Sequence, residues 1–163
     1  MYESVLIPTD GSGDMREVAD HAIALADRFE AAVHALHVVD DRAYGSIPDD
    51  VQQRVEETLT ADGEDATKAI AQRALDAGLD TVREVRWGNP PAGIVAYATE
   101  NDISLIIMGT HGRTGYDRYL LGSVTEKVVR VAPMPVLTVS VGDEDGDDEP
   151  LVGISMTDST QEN

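Results

Sequence analysis

The sequence predicts a doubly wound α/β fold, a parallel sheet of five strands with helices on both faces. Three observations carry this expectation. Five short apolar runs are separated by four segments with helical periodicity, and strict strand–helix alternation is the pattern of parallel βαβ units. Three of the runs are apolar on both faces, as strands covered from both sides must be. At 163 residues the chain is long enough for one full hydrophobic core and too short for two of ordinary size.

In chain order, the first strand is "SVLIPTD" (4–10). From Asp14 to Glu30, the apolar positions Met15, Val18, Ala19, Ala22, Ala26 and Phe29 fall on one helical stripe. "AAVHALHVVD" (31–40) is the second strand, and "DRAYGSIPDD" (41–50) is a polar connection expected to act as a mobile flap. Val51, Val55 and Leu59 begin the second helical stripe, and Ala66, Ile70, Ala74 and Ala77 continue it. Gly63 interrupts this stripe and weakens a helix by about 1 kcal/mol relative to Ala, so a kink or break is expected there. "LDTVREVRW" (79–87) alternates Val82 and Val85 with charges, which suits a strand near an edge. "NPPAGIVAYATEN" starts a third helix with proline in its first turn, where a missing N–H costs nothing. "ISLIIMG" (103–109), the helix "SVTEKVVRVA" and "MPVLTVSV" (134–141) complete the order. The remainder, residues 142–163, is acidic and aperiodic and reads as a disordered tail, in which "LVGIS" has the composition of a short docking strand.

Composition narrows the function. There are 31 acidic against 12 basic residues, a formal net charge of −19. Eight of the acidic residues lie in 143–163, leaving the domain at 23 against 12, or −11. Ten of the basic residues are Arg, and only Lys68 and Lys127 are Lys. An acidic, lysine-poor surface suits a halophilic setting, where salt shortens the screening length to about 3 Å at 1 M. Nucleic acid is disfavoured as a partner because there is no basic patch to release its counterions. No apolar run is long enough to span a membrane, and "MYESVLIPTDGS" has no signal-type pattern. Without cysteine there is no disulfide or thiolate-metal chemistry. A cytoplasmic protein without membrane attachment is expected.

The most informative stretch is "GTHGRTGYDRYLLGSVTEK" (109–127), which places fourteen residues between the end of a buried strand and the next helix. Connections in such folds usually run to about two to six residues. In open parallel sheets, ligands bind beyond the carboxyl ends of strands where the strand order reverses. "PTDGS" and "GTHGRTG" both leave such ends. The long loop finishes in "GS" at a helix start, where unpaired N–H groups and the positive end of the dipole favour phosphate. Gly109 and Gly112 would let the backbone approach a ligand, Gly122 would permit a turn closed to side chains, and Ser123 and Thr125 would add hydroxyl donors. Neither GxxxxGK[ST] nor a GxGxxG after the first strand is present. Asp10 is also suited to capping the following turn. His111 has no inferable triad and reads as a loop-shaping hydrogen bonder, and Arg113 and Arg118 suit phosphate, solvent or a dimer contact equally. His34 and His37, three apart in one strand, point to opposite faces and do not share a metal.

The spacing G-x2-G-x9-G-[ST] (Gly109, Gly112, Gly122, Ser123), the opening "VLIPTDGS" and the closing "PVLTVSV" together resemble the universal stress protein family, over residues 1–141. The resemblance implies strand order 3-2-1-4-5 and ATP bound over the switch point between strands 1 and 4. It implies that Pro8, Thr9 and Asp10 lie against adenosine, with Asp10 near the ribose hydroxyls, and that Val39 offers its backbone to the adenine edge. Met108 and Gly109 would flank the ribose. Gly112, Gly122, Ser123, Val124 and Thr125 would surround the phosphates, with Mg2+ or Mn2+ bridging them. It further implies a homodimer through the last strand, Val136 to Val141, supported by "YLL" (119–121). The function expected is a nucleotide-responsive module in stress response with slow or no ATP hydrolysis. The alternatives are an ATP-consuming enzyme, such as an ATPase or an adenylyl-transferring relative, and an interaction protein with an empty pocket.

Overall fold

A computed structural model describes residues 1–110 and 121–141. Five strands, β1 (Ser4–Pro8), β2 (Ala32–Asp40), β3 (Thr81–Gly88), β4 (Leu105–Gly109) and β5 (Val136–Val139), form one sheet in the order β3-β2-β1-β4-β5. Every pairing is parallel. Four helices connect them: α1 (Met15–Phe29), α2 (Asp49–Asp76), α3 (Pro90–Glu100) and α4 (Ser123–Val131). The expected five-stranded doubly wound architecture is therefore present, with β3 and β5 at the edges.

Alternation along the strands divides the core. Val5, Ile7, Val33, Ala35 and Ile107 pack with α1 and α2, joined by Val18, Ala22, Ala26, Ile70 and Ala74. Leu6, Leu36, Ile106 and Met108 face the other layer, with Ile94, Tyr97 and Ala98 of α3 and Val128 of α4. The central strand β1 thus supplies side chains to both layers, which is why its run carries no polar alternation. Small residues on α1 let it lie close to the sheet. Asn89 caps α3 by accepting from the Ala92 N–H at 3.2 Å, with proline in the first turn as expected.

Three sequence expectations need revision. The helix α2 runs without a break for 28 residues, through Gly63. That glycine is buried where α2 crosses β2 and β3, and a Cβ there would lie 2.7 Å from His37 Cδ2 and 3.0 Å from Val85 Cγ1. It is a packing glycine, and the hydroxyl of Thr67 one turn on donates to its carbonyl at 3.0 Å. Next, at about 1.5 Å per residue α2 is roughly 42 Å long, longer than any strand beneath it. Its first turns therefore overhang the sheet, leaving Val51 43% exposed, and Ala77 caps the far end without entering the core. Finally, Phe29 ends α1 outside the buried stripe, packed edge-to-face on Tyr2 with centroids 5.2 Å apart.

The expected flap begins as a short 3-10 turn, Asp41–Ala43. The Asp40 carboxylate accepts from the Arg42 backbone N–H, Nε and Nη2 at 3.1, 2.9 and 2.7 Å. The Arg42 guanidinium holds that carboxyl below its ordinary range. The tail at 142–163 lies outside the described residues.

Candidate functional site

The crevice is set by topology. β1 has β2 on one side and β4 on the other, and the helices that follow β1 and β4, α1 and α4, pack on opposite layers, which makes this the switch point of the sheet. The register Val5↔Leu105 and Leu6↔Ile106, carried forward, sets Pro8 beside Met108 and Thr9 beside Gly109.

On the β1 side, Thr9 closes the sheet by donating its N–H to the Leu36 carbonyl at 2.8 Å. Its Oγ1 accepts from the Gly11 N–H at 3.1 Å, and Asp10 Oδ1 accepts from the Ser12 N–H at 2.9 Å. Gly11 has φ +75°, a conformation that side chains rarely adopt. Asp10 therefore does serve its turn, through one carboxylate oxygen; among the described residues Oδ2 has no protein partner. Pro8 and Thr9 are buried and Asp10 is half-buried.

On the β4 side, the strand end and the helix start are bonded to each other. The Gly122 N–H donates to the Thr110 carbonyl at 2.7 Å. The hydroxyl of Thr125, a residue only 5% exposed, donates to the Gly109 carbonyl at 2.8 Å. Intrahelical bonding begins with the Glu126 N–H to the Gly122 carbonyl at 2.9 Å, so the N–H groups of Ser123, Val124 and Thr125 precede the helical ladder and point off its end. Thr125 thus acts as a clamp through its side chain, and only its N–H faces the helix end. Gly122 has φ −55° and ψ 148°, which any residue can adopt. The expected need for a turn closed to side chains does not exist there; Gly11 is the residue with that need. Glu126 places a negative charge in the first turn, engaged by Arg130.

Thus Pro8, Thr9, Asp10, Met108, Gly109, Gly122, Ser123, Val124 and Thr125 come from segments that meet at the carboxyl end of neighbouring strands. Val39, 4% exposed, lies one strand further out, in register with Trp87. Gly112, His111, Arg113 and Arg118 lie outside the described residues.

The two strand histidines do face opposite layers. His34 Nδ1 pairs with the Tyr97 hydroxyl on α3 at 2.8 Å, and burial lowers its pKa. The Arg86 guanidinium covers the Tyr97 ring at 4.7 Å and binds Glu84 and Glu100. This cluster braces α3 on β3 away from the crevice. His37, by contrast, reaches the site: its Nδ1 lies 2.7 Å from the Thr9 carbonyl. Sequence reasoning set His37 aside because a strand histidine carries no mark of a backbone partner 28 residues away. Among the described residues no group of three His, Asp or Glu is arranged to hold a metal, and no helix is long and apolar enough to cross a membrane.

This order of strands and this pair of connections define a class, the open parallel α/β proteins whose binding crevice lies at a central switch point. Residues 1–140 match the Universal stress protein family. The chain belongs to that family. It is 39% identical over 140 residues to universal stress protein MJ0531 of Methanocaldococcus jannaschii, covering 85% of this chain and 82% of the relative. It is 36% identical over 139 residues to a universal stress protein of Methanothermobacter thermautotrophicus, covering 83% and 94%. Among solved structures, hypothetical protein MJ0577 superposes with a TM-score of 0.77 at 29% identity, covering 88% of this chain and 99% of that one. A universal stress protein in complex with cAMP superposes with a TM-score of 0.64 at 25% identity, covering 86% and 98%.

Proposed function

We propose that the chain binds ATP in the crevice between the Thr9–Ser12 turn and the start of α4. In this reading it works as a nucleotide-responsive member of its family and not as a dedicated enzyme. The observation that carries the reading is the clamp on the β4 side. Thr125 to Gly109 and Gly122 to Thr110 fix the amino end of α4 against the strand end, so that three N–H groups form a ready anion seat. Across the crevice, Asp10 Oδ2, which has no protein partner among the described residues, would accept from ribose hydroxyls. The cAMP complex of a relative with the same fold supports an adenine nucleotide as the ligand class.

A Mg2+ or Mn2+ ion fits this donor set only as a partner of the phosphates. Mg2+ typically keeps several waters and binds through phosphates plus one or two carboxylates, and no protein cage is needed. A negatively charged domain repels ATP at long range, so the metal, the helix amides and a salty medium each favour binding. With α4 fixed in advance, ATP binding would shift the protein toward its partner-competent state. None of the described site residues is set up as a nucleophile or general base, so hydrolysis is expected to be slow. Mass spectrometry of ligand retained through purification tests the binding, and adenine nucleotide is the expected species. Steady-state phosphate or pyrophosphate release on the order of 1 s−1 or faster, the ordinary enzyme range, would overturn the non-enzymatic reading.

The assembly we propose is a homodimer through β5. Among the described residues β5 pairs with β4 alone and forms the edge of the sheet, a surface that folded proteins cover, and Leu137 on it is 43% exposed. Light scattering should give twice the chain mass, and Leu137→Arg should return the monomer mass. A monomer for both proteins at micromolar concentration would refute the dimer.

A further inference from the structure

The geometry points to His37 as a positioning residue of the nucleotide site: its imidazole holds the Thr9 carbonyl and so sets the turn that presents Asp10. The inference rests on the ATP reading above for its consequence in binding, though not for its geometry.

A carbonyl can only accept a hydrogen bond, so the contact of 2.7 Å requires the hydrogen on Nδ1. That defines the tautomer, since the neutral ring carries one hydrogen. The Thr9 carbonyl and the Asp10 N–H belong to one planar peptide unit. Fixing that oxygen fixes the direction in which Asp10 leaves the sheet. The N–H of Thr9 is already held by Leu36, its hydroxyl by Gly11 and Asp10 Oδ1 by Ser12. The His37 bond supplies the remaining constraint at the point where the chain leaves β1.

The ring itself has little freedom. It lies on the α2 face of β2, opposite Val85 in the β2–β3 register. Gly63 of α2 sits directly over it, and a Cβ at 63 would lie 2.7 Å from His37 Cδ2 and 3.2 Å from Cγ. Real Cβ atoms do not come that close to another carbon, so a side chain at 63 must push the ring or the helix away. Gly63 therefore links α2 to Asp10 through one imidazole, and the glycine that weakens α2 locally gives His37 its seat.

The test compares wild type, His37→Phe, His37→Asn and Gly63→Ala. Phe keeps a ring but cannot donate; the Asn side-chain amide places a donor close to where Nδ1 sits. ATP affinity, measured with Mg2+ by calorimetry, should fall about tenfold in His37→Phe, the scale of one hydrogen bond. Gly63→Ala should fall similarly although alanine is the better helix former. His37→Asn should recover most of the loss. In the absence of nucleotide, amide exchange at Gly11 and Ser12 should quicken in His37→Phe and Gly63→Ala and slow again in His37→Asn. Equal affinity and exchange in wild type and His37→Phe would overturn the inference, as would equal losses in Phe and Asn. If wild type binds no ATP, the ATP reading fails by itself and the exchange series alone decides the role of His37. Should His37→Phe not fold, imidazole nitrogen shifts of wild type decide: hydrogen on Nδ1 supports the inference, and hydrogen on Nε2 alone overturns it.

Discussion

Replacing Thr125 by Val tests whether the clamp between β4 and α4 is the feature that organises the phosphate side. The two side chains have nearly the same shape, and both are β-branched, so packing and rotamer preference change little. What is lost is the hydroxyl, which donates 2.8 Å to the Gly109 carbonyl from a position only 5% exposed. Removing one partner of such a bond costs its net contribution plus the desolvation of the acceptor left behind, together about 1–3 kcal/mol. Urea slopes for proteins of this size are near 2 kcal/mol/M, which converts the loss into a midpoint lower by about 0.5–1.5 M. The slope itself should not change, because the same surface is exposed on unfolding. Nucleotide affinity should drop as well, since Ser123 and Val124 would lose their fixed relation to the strand end. Urea titration followed by circular dichroism, with and without ATP and Mg2+, measures both effects. An unchanged midpoint, or a lower midpoint with undiminished stabilisation by ATP, would refute the idea that this bond sets the anion seat.

Gly122→Val should abolish ATP binding by filling the approach to the phosphates. Because φ −55° and ψ 148° suit valine, the fold should lose no more than about 1 kcal/mol from the poorer cap; dialysis against ATP and thermal melting separate the two effects. Acidification should weaken the fold through His34. Its pKa in the folded state is lowered by burial, so the unfolded chain takes up the proton first. Stability is therefore intact above its ordinary value of 6.5 and declines as pH falls below it. His34→Leu should flatten the slope of melting temperature against pH between about 6.5 and 5, where the remaining carboxylates are still largely ionised. An unchanged slope would show that burial of His34 does not govern it.

Much of the fold was legible because hydrophobic periodicity reports burial directly. The two-faced apolar run of "SVLIP" identified a covered strand, and the alternating "TVREVRW" identified β3 at an edge. Gly63 misled because propensity describes an isolated helix. In the molecule, the lack of room for a Cβ over His37 decides the residue, and the helix continues through it. The segments of the candidate site were legible as glycine-bearing connections leaving strands β1 and β4, while the hydrogen bonds within them were not. That Thr125 clamps through its hydroxyl, that Gly11 and not Gly122 needs an unusual φ, and that His37 reaches Thr9 are all tertiary relations. They depend on which strand lies next to which, and no local pattern encodes a bond between residues 9 and 37. The exposed position of Val51 likewise follows from helix length compared with strand length, a quantity that a stripe of apolar residues does not express.

Equilibrium dialysis of the purified protein against ATP and Mg2+, in salt high enough to screen its negative charge, measures the claim on which the account depends. One adenine nucleotide per chain, displaced by excess unlabelled ATP, is the expected result. Protein and buffer compartments with equal nucleotide at every concentration would contradict it.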